Sequence, residues 1–239
     1  MSSPTPILAL DVHDLGAAVD LLQRVGSEVL WVKVGVQLFI SGGPDAVREL
    51  RAGGYRVFLD LKLHDIPHTV ARAVESAAAL GVEMVTVHAS GGSAMLDAAR
   101  RAAGERGPAL FAVTALTSLS PEALGVVFGR PIPSMADEGV RLARIAWESG
   151  MAGVVTSVHE AAHIRREIGA GLRILTPGIR LSGDHPGDQT RVASPAAAAG
   201  AAVDFVVIGR TVTAAADPSD AFARVCAELS GASAIPGAA

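Results

Sequence analysis

Arg56-Val-Phe-Leu-Asp-Leu-Lys-Leu-His-Asp-Ile-Pro-His-Thr69 is the stretch on which the fold turns. Its opening part, Arg56–Lys62, reads as a strand, and successive side chains of a strand point to opposite faces. Phe58, Asp60 and Lys62 therefore share one face, and Leu59, Leu61 and Leu63 share the other. The leucine face must be covered by helices, which turns Asp60 and Lys62 towards the inside of the sheet. Strands covered on both faces belong to parallel sheets with helical crossovers. The Ala-rich sequence after Ile66 supplies such a crossover, with a helix expected over 67–80.

Working outward in both directions, the same pairing of a short apolar run with a helical stretch continues from end to end. The strand candidates are Ile7–Asp11, Trp31–Val36, Arg56–Lys62, Met84–His88, Leu110–Leu116, Gly153–Ser157, Arg173–Pro177 and Phe205–Gly209. Helices are expected near 14–25, 43–53, 67–80, 92–104, 136–149, 159–168, 194–200 and 218–230. Strict β-then-α order requires right-handed crossovers, and eight repeats predict one closed (β/α)₈ TIM barrel. A flavodoxin-like or Rossmann sheet is the runner-up. Against it, Asp11-Val-His-Asp follows the first strand where a G-x-G-x-x-G turn would stand.

The 239 residues are read as a single barrel domain over 1–230, with 231–239 a frayed tail. A formal charge of −4 argues against non-specific nucleic-acid binding, which needs a basic surface. Cys226 is the only cysteine, so no intrachain disulfide can form, and a cytoplasmic location is expected. No stretch reads as a signal peptide or membrane helix, and no membrane partner is expected. Two connections are long, Thr117–Met135 and Gly178–Arg191, and both leave the C-terminal ends of strands, where barrels build their active sites.

Charges inside strands are the informative feature. Lys33 points opposite to Val32 and Val34, and Asp11 opposite to Leu8 and Leu10, so both join Asp60 and Lys62 at the barrel mouth. Burying such ions costs several kcal/mol each before pairing, and apolar replacements are often as stable. A cluster that only fixes strand register is the bland alternative. A charge-paired lysine can instead be a Schiff-base nucleophile or a cationic acid, and flanking carboxylates favour the protonated form, so Lys62 reads as a proton donor. Gly209-Arg210 closes the last strand, where barrels commonly bind phosphate, and Arg180 and Gln189 lie on the neighbouring connection.

Asp60-Leu-Lys-Leu-His-Asp-Ile-Pro-His-Thr69 resembles the signature of orotidine 5′-monophosphate decarboxylases. Leu10-Asp11, Val32-Lys33-Val-Gly, Thr86-Val-His-Ala, Leu116-Thr-Ser, Thr176-Pro-Gly-Ile-Arg, Asp188-Gln189 and Ile208-Gly-Arg-Thr resemble family segments in the same order, over residues 7–213. The resemblance implies a cofactor-free, metal-free homodimer that converts orotidine 5′-monophosphate to UMP and CO₂. It implies that Lys62 stabilises and protonates a C6 carbanion, that Asp60 lies against the departing carboxylate, and that Lys33 holds the charge network and the ribose. Asp65 and Thr69 would serve the neighbouring subunit's site. Asp11 would bind ribose, Thr117 the pyrimidine edge, and Arg180, Gln189, Gly209 and Arg210 the phosphate and the loop that closes on it.

Two segments could instead suggest a metal. His159-Glu-Ala-Ala-His163 is a literal H-E-x-x-H. It falls in the first turn of a short helix, where a dipole-favoured glutamate between two exposed histidines is the plainer reading. His64 and His88 could hold a metal, as in a sugar-phosphate decarboxylase or epimerase on this barrel, but Lys33 stands where a further ligand would be wanted. A binding module without turnover is the non-enzyme alternative, and it would not need four charges within strands.

Overall fold

The computed structural model describes residues 3–184 and 191–231. The first half of the chain comprises β1 (Thr5–Ala9), α1 (Leu15–Val25), β2 (Trp31–Gly35), α2 (Val36–Ala52), β3 (Arg56–Leu63), α3 (Pro67–Ala79), β4 (Met84–His88) and α4 (Gly92–Ala103). The second half comprises β5 (Ala109–Val113), α5 (Pro121–Phe128), α6 (Met135–Glu148), β6 (Gly153–Val155), α7 (Val158–Ile168), β7 (Arg173–Thr176), α8 (Pro195–Gly200), β8 (Phe205–Ile208), α9 (Arg210–Thr213) and α10 (Pro218–Ser230). The eight strands form a closed barrel in chain order, and β1 completes the ring by pairing in parallel with β8 as well as β2. No helix among the described residues is long and apolar enough to cross a membrane.

Alternation along the strands sorts the core into two parts. Leu8, Leu10, Val32, Val34, Val57 and Leu59 face the helices. Ile7, Trp31, Phe58, Met84, Phe111, Leu175 and Val207 fill the inside. Phe205 stands edge-on to both Trp31 and Phe111, each at 5.9 Å between ring centres, which closes the bottom of the barrel. The space above this plug is therefore a cup with charged walls rather than a channel.

The helices begin where the sequence offers caps. Asp14, Ser120, Ser134, Ser157, Ser194 and Asp217 each accept a backbone N–H of the first turn. Three departures from the expected elements stand out. α2 starts at Val36, well before 43, and is broken at Gly43, whose φ of 58° precedes Pro44. The Val-Gln-Leu-Phe-Ile segment of its first half carries β-type residues yet is helical, with Leu38 buried in the core while Val36 and Ile40 are exposed. The connection after β5 contains a helix, α5, begun by Ser120-Pro121. β1 and β5 end earlier than expected, at Ala9 and Val113, leaving Asp11 and Leu116 on the loops above the strands.

Candidate active site

A cavity of about 380 Å³ opens at the C-terminal ends of the strands. Asp11, Lys33, Asp60 and Lys62 line one side, Thr117 and Thr156 another, and Arg180, Gly209 and Arg210 the third. Val113, Val155, Leu175, Pro177 and Val207 give it apolar walls. The barrel thus brings most of the expected residues to one place from six different strand ends. Gln189 lies outside the described residues. Asp65 and Thr69 are exposed and do not line this cavity in their own chain.

The four charges form an alternating row. Lys33 Nζ donates to Asp11 Oδ1 at 2.8 Å and stands 3.6 Å from Asp60 Oδ2. Lys62 Nζ donates to the same Asp60 oxygen at 2.8 Å. Only the middle of the row is buried: Lys33 and Asp60 are each 8 % exposed. The side chains of Asp11 and Lys62 are 57 % and 37 % exposed. The expectation that all four would be taken out of water is corrected, because Asp11 lies beyond the end of β1 and Lys62 at the rim of β3. Burial alone would raise the Asp60 carboxyl, but the charges of Lys33 and Lys62 and hydrogen bonds from Lys62 and Thr86 outweigh it and hold it below the usual carboxylate range. Asp60 is consequently an anion at neutral pH.

Backbone geometry makes this row possible. Lys62 has a φ of 50°, and the pairing of β3 with β4 shifts register between Leu59 and Leu63. A left-handed lysine is strained, and such strain persists only where its surroundings enforce it. Thr86 supplies part of that enforcement. Its hydroxyl accepts the Lys62 N–H at 2.8 Å and donates to Asp60 Oδ1 at 2.9 Å. Gly35 is needed for the same reason, since a Cβ there would stand 2.8 Å from Asp11 Oδ1 and 2.9 Å from Lys33 Nζ. Sequence reading assigned Thr86 no role. Its place on the inward face of β4 and its membership of the family-like Thr86-Val-His-Ala segment both point to it, but neither names a partner.

Thr86 is fully buried, so Thr86→Val keeps the shape and removes both hydrogen bonds. This variant should lose about 1–3 kcal/mol of stability in urea unfolding, because Asp60 Oδ1 and the Lys62 N–H lose their partner. An unchanged urea midpoint would show that the bulge is held by packing alone.

The histidines divide as follows. His64 and His88 stack at 5.2 Å between ring centres. Burial, then repulsion from His64 and Lys62, pulls His88 down to about 4 despite the opposing Asp60, so its ring is neutral at pH 7. Among the described residues no group of three or more His, Cys, Asp or Glu is placed to hold a metal ion. In the H-E-x-x-H segment, His159 Nε2 lies 3.2 Å from the Val192 carbonyl and His163 Nε2 lies 3.1 Å from Asp137 Oδ1. His163 is half-buried rather than exposed, and Glu160 is buried as the reciprocal partner of Ser157 in a capping box.

Comparison with known proteins places this geometry among relatives. Residues 4–225 match the model of the orotidine 5′-phosphate decarboxylase / HUMPS family. An orotidine 5′-phosphate decarboxylase of Sodalis glossinidius is 47% identical over 93% of this chain and 89% of its own length. That of Shewanella sediminis is 42% identical over 99% of this chain and 100% of its own. Among solved structures, the orotidine 5′-phosphate decarboxylase of Lactobacillus acidophilus superposes with a TM-score of 0.83 at 36% identity, over 95% of this chain and 99% of that one. With a match that runs through every strand bearing a cavity residue, the chain belongs to the orotidine 5′-phosphate decarboxylase / HUMPS family.

Proposed function

We propose that this chain is an orotidine 5′-monophosphate decarboxylase, which converts its substrate to UMP and CO₂ in pyrimidine biosynthesis and uses no cofactor. The observation that carries the reading is the row Asp11–Lys33–Asp60–Lys62 in the same cavity as Arg180 and Arg210. Breaking the C6–carboxylate bond leaves its electron pair on C6, where the pyrimidine ring delocalises it poorly. Fixed positive charge, in place before the reaction, is what lowers that barrier. The Lys62 ammonium supplies it and then transfers a proton to C6, leaving a neutral amine that is reprotonated from solvent. Asp60 lies against the leaving carboxylate, and its negative charge disfavours the bound substrate relative to the product CO₂. Lys33 keeps Asp60 ionised and in place.

Asp11 and Lys33 hold the ribose and Thr117 the pyrimidine edge. Arg180, Gly209, Arg210 and Gln189 take the phosphate. Asp65 and Thr69 act in the site of a second copy. Their absence from their own cavity and the 67 % exposure of Ile66 between them support this placement.

The test is a spectrophotometric assay with orotidine 5′-monophosphate before and after exhaustive chelation. Full activity is expected after EDTA, since Lys62 supplies the charge that a metal would otherwise bring. Activity lost to EDTA and restored by Mg²⁺ or Zn²⁺ would move the protein to the metal-dependent sugar-phosphate enzymes of this barrel. Arg210→Ala should lower kcat/KM for the nucleotide by about 10²-fold while changing the slow turnover of orotidine little, because only the nucleotide engages the guanidinium. Equal losses on both substrates would assign Arg210 a structural role.

A further inference from the structure

Arg191 forms a buried brace that the assignments above leave unused. Its side chain is 13 % exposed and pairs with Glu160, 6 % exposed, through Nη1 and Oε1 at 2.8 Å. Its Nη2 donates to the Leu116 carbonyl at 2.9 Å. Among the described residues its buried Nε finds no hydrogen-bond partner. Glu160 is itself fixed, accepting the Ser157 N–H at 3.1 Å. One guanidinium thus joins the loop after β5, the start of α7 and the end of the long connection after β7.

What Arg191 holds lies two residues on. Ala193 donates its N–H to the Gly178 carbonyl at 3.1 Å and accepts the Arg180 N–H at 2.9 Å, forming a short parallel bridge centred on Ile179 and Ala193. The backbone of Arg180 is therefore laid against a segment whose position Arg191 anchors. A buried ion pair is weak ground for stability, since apolar replacements often do as well. It is strong ground for geometry, because a planar fork held at both ends permits one placement.

We propose that Arg191 is a positioning residue, which through Glu160 and the Ala193 bridge presents Arg180 to the anionic end of the substrate. This rests on the reading of the cavity as a nucleotide site. Arg191→Ala should lower kcat/KM for orotidine 5′-monophosphate about 10- to 100-fold, mainly through KM, since the guanidinium of Arg180 would no longer be pre-placed. The loss should exceed that on orotidine at least tenfold. In the double variant Arg180→Ala/Arg191→Ala, the loss should match that of Arg180→Ala alone within about threefold, as expected when one residue acts through the other. Arg191→Lys should recover part of the nucleotide KM.

If Arg191→Ala does not fold, Glu160→Gln carries the same comparison, because glutamine also closes a capping box while removing the charge. Losses that add in the double variant, equal losses on nucleotide and nucleoside, or a lower melting temperature with an unchanged nucleotide KM would each overturn the proposal. Wild-type protein that fails to turn over the nucleotide would instead sink the functional reading. Calorimetric titration of the same variants with UMP would then still decide the role of Arg191, a weaker affinity in Arg191→Ala supporting it and an unchanged one refuting it.

Discussion

Lys62→Ala is expected to lower kcat by roughly 10⁴-fold or more, while the protein remains folded. Two contributions disappear together. The ammonium 2.8 Å from Asp60 is the positive charge that the proposed mechanism sets against the reacting carbon, and it is also the proton source. Fold should survive because Lys62 is at the rim and 37 % exposed, so its removal buries no uncompensated charge beyond Asp60, which retains Lys33 and Thr86. Ala at this left-handed position brings no relief, since any residue with a Cβ is strained there. The measurement is single-turnover decarboxylation alongside a urea melt. A loss below tenfold, with a normal melt, would remove Lys62 from the chemistry and leave the row of charges as a register device.

The second large effect is a recovery rather than a loss. Lys62→Ala and Asp65→Ala should each be nearly inactive alone, yet a mixture under subunit-exchange conditions should regain about a quarter of wild-type activity. In a two-fold symmetric dimer with random exchange, about half the dimers are mixed, and each mixed dimer gathers both lesions in one site and leaves the other whole. Asp65 is exposed, accepts the adjacent Ile66 N–H at 2.6 Å and does not line the cavity of its own chain. No recovery, with exchange confirmed by mass, would mean that Asp65 acts in its own chain and would sink the shared site. The assignment of Lys62 would stand unaffected.

Much of the site could be read from residue order because strands impose a period of two. Val32-Lys33-Val34 and Leu59-Asp60-Leu61 predict inward charge from their apolar neighbours, and both charges do line the cavity. Alternation predicts direction but not depth. The difference between buried Lys33 and open Asp11 depends on where β1 stops, and strand ends are set by pairing with neighbours rather than by the strand's own residues. α5 was missed for a related reason: its Leu-Gly-Val-Val-Phe run carries no clear helical stripe, and its capping Ser120-Pro121 was the one local signal.

Residue order alone specifies the barrel, since eight apolar runs each followed by a helical stretch permit few other arrangements once crossovers must be right-handed. It also specifies which faces of β2 and β3 carry charge. Which charges meet depends on how the strands pair in three dimensions. Asp60 joins Lys33 because β2 and β3 pair with Lys33 opposite Phe58 and Gly35 opposite Asp60, a register no local pattern specifies. Lys62 takes a left-handed conformation because Thr86, from the next strand, captures its N–H. Arg191 finds Glu160 and Leu116 because barrel closure brings three successive strand ends side by side. Hydrogen bonds and ion pairs between residues distant in the chain depend on distances that only the closed barrel sets, whereas periodicity is a property of each segment alone.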